Sequence, residues 1–301
     1  MAKREEKLTE SSKKPIQDLR EWLSRVEALG DLVRVKDAVS CDEEMSAIGY
    51  LVAKQKPSPA ILFDNIKGYE KSLYKAQSLW NILGPSIPRI ALTMEEPHDT
   101  ETVELIRRTK DKLKNRMAPR EVSAAEAPMY QNTLTGDKID LTDLPIPRHW
   151  PLDGGRYAGT ADCVITRDPD SGYLNVGTYR MMLQSKNECG LYLSPGKDAR
   201  LHITRSWQQG KPVEVAAAWG IDPLFMVLGS QTFPKNVSEY EYLGGIKGEP
   251  IPVVKGKMTN LLLPANAEFM IEGIIKPNSV RSEGPFGEFP GYYGRPEAGC
   301  P

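Results

Sequence analysis

The sequence predicts an N-terminal α/β domain followed by a mostly antiparallel sheet or barrel with a few helices. Helical and strand-like segments alternate near the start, a Pro-rich stretch interrupts the chain near its middle, and short β-segments recur after it. Alternation of helix and strand within about fifty residues indicates an α/β arrangement, whereas turn-bounded β-segments favour antiparallel pairing. We divide the 301 residues into a disordered arm (1–14), an N-terminal α/β domain (15–118), a Pro-rich connection (119–155) and a second domain (156–301).

The N-terminal domain is predicted from apolar spacing and from helix-boundary residues. Pro15 is placed as the first residue of a helix with one apolar face, and Gly30 stops it. Ser40 and Glu43 have the spacing of a capping box that opens a second helix. The apolar run AILF is typical of a buried strand. These signals predict helices at 15–29, 41–53 and about 100–115, and strands at 32–35 and 60–63.

The second domain is predicted from short segments with β-character. Several are bounded by Asp, Gly or Pro, and the Asp-Pro-Asp-Ser-Gly run at 168–172 is a strong hairpin signal. The segments are 160–167, 173–183, 212–219, 251–258, 260–264 and 268–275.

Composition excludes several classes of protein. The 39 basic and 40 acidic residues give a net charge of −1, so there is no global basic field for nucleic acid or an anionic membrane. No apolar run approaches the roughly 20 residues that span a bilayer. Four cysteines without a C-x-x-C pair and only three histidines argue against a zinc enzyme and favour a reducing compartment. The sequence has no nucleophile elbow (GxSxG), no P-loop and no GxGxxG after a strand. These absences argue against an α/β-hydrolase, an ATPase and a standard nucleotide-binding Rossmann enzyme.

Two segments contain polar residues suited to binding. In NVGTYR, Asn175 and Arg180 face opposite ways on an ideal strand, so they share a site only if the strand bulges or twists. Gly177 would tolerate such a bulge. The alternative is a barrel strand with an outward arginine. In VSEYEY, Glu239 lies near the predicted start of a helix, where an acidic side chain commonly interacts favourably with the helix dipole.

The segment EGPFGEFPGYYG contains the strongest candidate for chemistry. Glu283 and Glu288 would lie roughly 17 Å apart in an extended chain, but the Gly-Pro-Phe-Gly turn between them can fold them together. Crowding and burial can raise one carboxyl pKa into a range useful for proton transfer. The alternative is a turn whose acids face solvent. The cluster Asp153-Gly154-Gly155 is too short to identify a phosphate site.

Four motifs stand out along the chain: DLREWLSRVEALGDLVRV, GGRYAGTADCVITRDPDSGYLNVGTYRMM, VSEYEYLGGIKGEPIPVVK and EGPFGEFPGYY. Together and in this order, they resemble the UbiD family of reversible decarboxylases, which use prenylated FMN. The resemblance extends from about residue 16 to residue 293, and it implies an FMN-binding split β-barrel after the N-terminal α/β domain. Family members generally continue into a further α/β domain, which we expect to be absent here.

The resemblance implies a flavin beside a divalent metal, manganese or magnesium, with potassium as an additional cation. In the family, an asparagine and a glutamate hold the metal that bridges to the flavin phosphate, and Asn175 and Glu239 match them. The family's histidine after a proline has no counterpart in residues 191–198, so water could complete the site or Lys197 could contact the phosphate. The implied cofactor-binding residues are Thr178, Tyr179, Arg180, Leu191, Tyr192, Leu193, Gly196, Lys197 and Glu239.

The resemblance also implies a catalytic network of Arg180, Glu283 and Glu288. Loss of CO2 from an unsaturated carbon leaves electron density that the modified flavin accepts. Arg180 would hold the substrate carboxylate or orient a glutamate through a bidentate pair. Glu288 would return a proton to the vacated carbon, and Glu283 would tune Arg180. The same site could run as a carboxylase at high CO2.

We therefore expect a cytoplasmic decarboxylase of aromatic, heteroaromatic or α,β-unsaturated carboxylic acids. It would form a homo-oligomer, receive its cofactor from a flavin prenyltransferase, and have no nucleic-acid partner or membrane span. Two alternatives stay open. A non-catalytic or assembly subunit, or a truncated form, is favoured by the missing histidine and the early end but opposed by the intact acid pair. An ordinary FMN-binding redox barrel would bind unmodified FMN and be reduced by a nicotinamide.

Overall fold

The N-terminal half alternates helices with the strands of a small sheet, as predicted. The computed structural model describes residues 14–72, 74, 76–288 and 290–301, so residues 1–13 of the predicted arm lie outside the described residues. Strand β1 pairs in parallel with β2, and β2 pairs antiparallel with β3. The elements are α1 (Leu19–Ala28), β1 (Leu32–Val35), α2 (Glu44–Ala53), β2 (Ala60–Phe63), β3 (Ser78–Trp80), α3 (Ile87–Thr93) and α4 (Thr102–Lys112).

Two helix starts differ from the sequence prediction. Helix α1 begins after Asp18, whose carboxylate accepts the amide of Glu21 at 2.8 Å, and not at Pro15. The predicted capping box of Ser40 and Glu43 is wrong, because Glu43 has a left-handed φ of 66° and makes no side-chain cap. Its amide instead donates to the carbonyl of Arg148 at 2.9 Å. A tertiary hydrogen bond therefore fixes the chain where the local pattern predicted a cap.

The second half is mostly antiparallel, as predicted. A four-stranded sheet in the order β13-β10-β6-β7 is antiparallel throughout, and so is a three-stranded sheet in the order β5-β8-β9. None of the sheets formed by the described strands closes on itself, so the split barrel stays a prediction. These strands are β5 (Tyr157–Gly159), β6 (Cys163–Arg167), β7 (Leu174–Gly177), β8 (Met181–Ser185), β9 (Glu188–Leu191), β10 (Val213–Trp219) and β13 (Phe269–Ile275).

Smaller sheets and three helices complete the second half. The sheet β12-β11-β4 includes a parallel pair in which β4 comes from the Pro-rich stretch at 119–155, and β14 pairs with β15. Within the described residues, no helix is long and apolar enough to cross a bilayer. The remaining elements are β4 (Arg120–Glu121), α5 (Asp198–Gln208), α6 (Leu224–Gly229), α7 (Glu239–Lys247), β11 (Pro252–Lys255), β12 (Leu262–Pro264), β14 (Arg281–Glu283) and β15 (Glu297–Cys300).

The four-stranded sheet is covered on both faces, which explains why β6 is buried along most of its length. Alternate residues of a strand point to opposite faces. Cys163 and Ile165 join a core that includes residues of α6 and α7, whereas Val164 joins a second core with residues of β8, β9 and α5. Helices α5 and α7 therefore pack on opposite sides of the sheet that contains β7.

Candidate active site

The long β-segment predicted at 173–183 is divided in the structure, and this division creates the site. Strand β7 ends at Gly177 in the four-stranded sheet, and β8 begins at Met181 in the three-stranded sheet. The ring of Tyr179 folds back over Gly177, where a Cβ atom would overlap it. A side chain at position 177 would require this ring to move, and just beyond it the chain leaves one sheet for the other. Thr178, Tyr179 and Arg180 form the crossing.

Arg180 lies between the two glutamates of the EGPFGE segment. Its Nε and Nη2 atoms donate to the two carboxylate oxygens of Glu283 at 2.8 and 2.7 Å, and Nη1 donates to Glu288 at 2.9 Å. The Glu283 side chain is fully buried, whereas that of Glu288 is 34% exposed. The turn therefore folds both acids onto one guanidinium, and Glu288 is the member that reaches solvent.

Aromatic rings surround the Arg180 guanidinium. Its carbon lies 4.0 Å from the ring centroid of Tyr192 and 4.8 Å from that of Phe286, both within the range of cation–π attraction. Burial lowers the pKa of Arg180, but the hydrogen bonds and charge of Glu283 outweigh it and the net pKa is raised. Burial and the charge of Glu283 also raise the pKa of Tyr157. Both groups therefore keep their protons near neutral pH.

The two predicted metal ligands lie at the opposite end of the crossing. Asn175 on β7 is buried, and its amide donates to the Tyr179 hydroxyl at 3.3 Å. Glu239, the first residue of α7, is also buried and accepts the amide of Val176 at 2.7 Å. Burial raises the pKa of Glu239 to about 7, and the charge of Asp198 adds to the rise. The described residues contain no group of three His, Cys, Asp or Glu side chains arranged to hold a metal.

The remaining predicted cofactor-binding residues lie in three places: at the crossing, in a core and in the turn before α5. The Thr178 hydroxyl oxygen is buried without a hydrogen-bond partner among the described residues, and Tyr192 covers Arg180. Leu191 and Leu193 lie in the core of the sheet β5-β8-β9. Gly196 and Lys197 lie in the turn that leads into α5 at Asp198. Gly196 has a left-handed φ of 84°, and Lys197 is the exposed N-cap residue of α5.

Several residues near the acid pair were not singled out from the sequence as functional. His149 lies 5.8 Å from Phe286 between ring centroids, and burial lowers its pKa. Its Nδ1 atom is 3.3 Å from the Ser46 hydroxyl of α2, which connects the N-terminal half to this region. Asp153 accepts the amide of Gly287, next to Glu288, at 2.8 Å. The sequence signal for Asp153 was the DGG cluster at 153–155, which was too short to identify a phosphate site.

Comparison with known proteins identifies both halves of the chain. The profile of the 3-octaprenyl-4-hydroxybenzoate carboxy-lyase N-terminal domain, UbiD_N, matches residues 23–109. The profile of the Rift-related domain of the same carboxy-lyase, UbiD, matches residues 120–301. The first match lies in the N-terminal half of the chain and the second match covers the second half.

Relatives of known activity and known structure agree with these profiles. A phenolic acid decarboxylase of Bacillus subtilis is 36% identical over 92% of this chain and 58% of its own length. The closed form of vanillic acid decarboxylase from Sedimentibacter hydroxybenzoicus has a TM-score of 0.89 at 32% identity and matches 95% of this chain and 60% of its own. An evolved dimeric form of the UbiD-class enzyme HmfF from Pelotomaculum thermopropionicum, in complex with prFMN, has a TM-score of 0.85 at 30% identity, over 95% of this chain and 63% of its own. The chain spans about 60% of the length of these relatives, and it belongs to the UbiD family.

Proposed function

We propose that this chain carries the reaction centre of a prenylated-FMN-dependent decarboxylase of aromatic, heteroaromatic or α,β-unsaturated carboxylic acids. The observation that carries the proposal is Arg180 joined to both Glu283 and Glu288 beneath aromatic rings. Relatives named for phenolic, vanillic and pyrrole-2-carboxylic acids support an aromatic or heteroaromatic substrate.

Arg180, Glu283 and Glu288 would each have a different role in the reaction. Glu283 is fully buried and binds two nitrogens of Arg180, so it holds the guanidinium plane in a fixed orientation. Glu288 binds only the third nitrogen and is partly exposed, so it can turn from Arg180 towards a substrate. The freed Nη1 atom then binds the substrate carboxylate. Once it has turned from Arg180, the partly exposed Glu288 would take up a proton from solvent. After CO2 leaves, it would donate that proton to the vacated carbon.

The crossing between the two sheets fits a flavin with a metal-bound phosphate. The unpartnered buried hydroxyl of Thr178 needs an external hydrogen-bond partner, because a buried polar group without one is costly. Asn175 and Glu239 supply oxygen ligands of the kind that manganese and magnesium prefer. Asp198, whose charge acts on Glu239, is our candidate for a third oxygen ligand in place of the family's histidine. When bound, prenylated FMN supplies the electron sink for decarboxylation.

The proposal also covers the domain boundaries, the compartment, the oligomeric state and the cofactor supply of the protein. We assign the domains to 15–118 and 156–301 with the connection 119–155 between them, and the second domain to a split-barrel type. The protein would be a cytoplasmic homo-oligomer whose cofactor comes from a flavin prenyltransferase. Potassium would be an additional cation beside the metal.

Reconstitution tests the activity directly. The 301-residue chain is loaded with prenylated FMN and manganese, and CO2 release is measured over a panel of aryl, heteroaryl and acrylic acids. We expect flavin absorption to persist through gel filtration and CO2 to be released from at least one acid. Bound prenylated flavin without CO2 release from any acid favours the assembly subunit. Binding of unmodified FMN that a nicotinamide reduces favours the redox barrel.

The metal assignment predicts a loss of affinity in Glu239→Gln. The glutamine side chain has no negative charge, so the dissociation constant for manganese should rise at least about tenfold. A loss of affinity of this size is typical when the residues that hold a metal are altered. Free manganese is measured by electron paramagnetic resonance with FMN present. The control is Glu241→Gln on the same helix, which should bind manganese as the unmodified chain does. Equal affinity in all three proteins would contradict the assignment.

A further inference from the structure

The DGG motif has a partner that is not a phosphate. We call residues 153–155 the glycine turn and residues 283–288, which contain both glutamates, the acid loop. The amide of Gly154 donates to the Pro285 carbonyl at 2.8 Å, and the amide of Gly287 donates to Asp153 Oδ1 at 2.8 Å. The glycine turn therefore binds the acid loop on two sides of Phe286.

Asp153 is the centre of this contact. It is 8% exposed, and its Oδ2 atom accepts the amides of His149 at 3.1 Å and Trp150 at 2.9 Å. Its other oxygen accepts the amide of Gly287. Within the described part of the chain, no basic side chain forms an ion pair with Asp153. Three backbone amides therefore donate to the Asp153 carboxylate, and both of its oxygens act as acceptors.

The glycines allow the two segments to approach this closely. A Cβ atom on Gly154 would overlap the carbonyl of Gly284, and one on Gly287 would overlap the indole ring of Trp150. Gly273 on β13 differs, because the nearest atom to its Cβ position is 3.7 Å away, an ordinary contact. The glycines at the contact are thus needed for close packing, whereas Gly273 accepts a methyl group.

We propose that Asp153 is a positioning residue that fixes Glu288 through the backbone of the acid loop. Glu283 is already held by two hydrogen bonds to Arg180, but Glu288 has only one and is partly exposed. The backbone of Glu288 bonds within its own turn, where its amide donates to the Tyr292 carbonyl at 2.8 Å and its carbonyl accepts the Gly291 amide at 2.9 Å. The adjacent Gly287 amide is the group that ties this turn to Asp153, so the place of Glu288 depends on it. The role in catalysis rests on the proposed function, since it concerns the step in which Glu288 donates a proton.

Asp153→Asn separates this role from general stability. Asparagine has one acceptor oxygen, and the two amides of His149 and Trp150 take it, which leaves its NH2 group facing the Gly287 amide. We expect kcat to fall by about tenfold with KM changed less than about threefold, as when an interaction made only in the transition state is lost. In the Glu288→Gln background, Asp153→Asn should cause no further fall, because residues acting as one unit are not additive. Effects that multiply would overturn the proposal.

Amide hydrogen exchange tests the contact between Asp153 and the acid loop without a measurement of enzyme activity. In the cofactor-free chain, Asp153→Asn should speed exchange in the acid loop by about tenfold or more while β10 stays protected. Unchanged exchange in the acid loop overturns the proposal, even if the reconstituted chain proves inactive. If Asp153→Asn loses protection everywhere, Gly287→Ala replaces it, with Gly273→Ala as the matched control. Faster exchange in the acid loop only in Gly287→Ala supports the proposal, and equal exchange in both variants overturns it.

Discussion

In the reconstituted enzyme, Glu288→Gln is expected to lower kcat for CO2 release by about 10²–10⁴-fold, the contribution typical of a general acid. Glutamine has nearly the same size, and its oxygen can still accept the Arg180 Nη1 hydrogen bond that spans 2.9 Å in the unmodified chain. It has no proton of suitable acidity to donate to carbon. Because the ground-state contacts persist, KM should change little. Stopped-flow measurement of CO2 release checks both constants.

A matched substitution controls for the change of charge. Glu188 is 50% exposed and pairs with Arg281 on the neighbouring strand β14, so Glu188→Gln removes the same charge away from the guanidinium of Arg180. It should leave kcat within about twofold, as expected for an exposed ion pair. Full activity in Glu288→Gln with intact flavin absorption would remove Glu288 from the role of proton donor.

Replacement of Asp162 by asparagine is expected to stabilise the protein, and increasingly so as the pH rises. Asp162 is fully buried, and both of its carboxylate oxygens lack hydrogen-bond partners among the described residues. Burial raises its pKa to about 8. An unfolded aspartate has a pKa of about 3.9. Between these two values the native state keeps a proton that the unfolded state has lost.

The sign follows from proton linkage. Because the native state binds more protons in this window, the free energy of unfolding falls as pH rises from about 4 to about 8. Asparagine does not titrate, so the advantage of Asp162→Asn should grow by up to about 1.4 kcal/mol per pH unit and level off above about pH 8. Urea denaturation at pH 5 and pH 8 measures the difference.

An exposed aspartate provides the control for this experiment. Asp99 is exposed, and Asp99→Asn should change the free energy of unfolding by less than about 0.5 kcal/mol at both pH values. A stability difference between Asp162→Asn and the unmodified chain that stays constant from pH 5 to pH 8 would contradict a buried neutral carboxyl at this position.

Local patterns identified part of the regular structure and missed other elements, such as β3, α3, α5 and α6. The strand predicted at 32–35 is β1, and the strand predicted at 60–63 is β2. Glu239 is the first residue of α7, as its position in VSEYEY predicted. Strand patterns succeed here because β2 is buried on both faces, so nearly every residue in it is apolar. The capping box failed because Arg148, distant in sequence, provides the acceptor for Glu43.

Motif order and family resemblance located Arg180, Glu283 and Glu288, but only the fold explains how they meet. Alternation along an ideal strand placed Asn175 and Arg180 on opposite faces. We therefore expected them to share a site only if the strand twisted or bulged, with Gly177 as the residue that would tolerate a bulge. The structure instead ends β7 at Gly177 and starts β8 in another sheet. At this point the ring of Tyr179 packs over Gly177, a contact that residue spacing does not reveal.

By itself, the sequence determined the α/β beginning, the antiparallel second half and the identity of the charged residues, because these depend on local periodicity and residue type. Only the tertiary structure decided which groups share a site. Asp153 binds Gly287, 134 positions away, and Arg180 binds Glu283, 103 positions away. Contacts across such separations depend on how sheets and loops pack. The DGG cluster alone was too short to identify a site, and only the fold placed it against the acid loop.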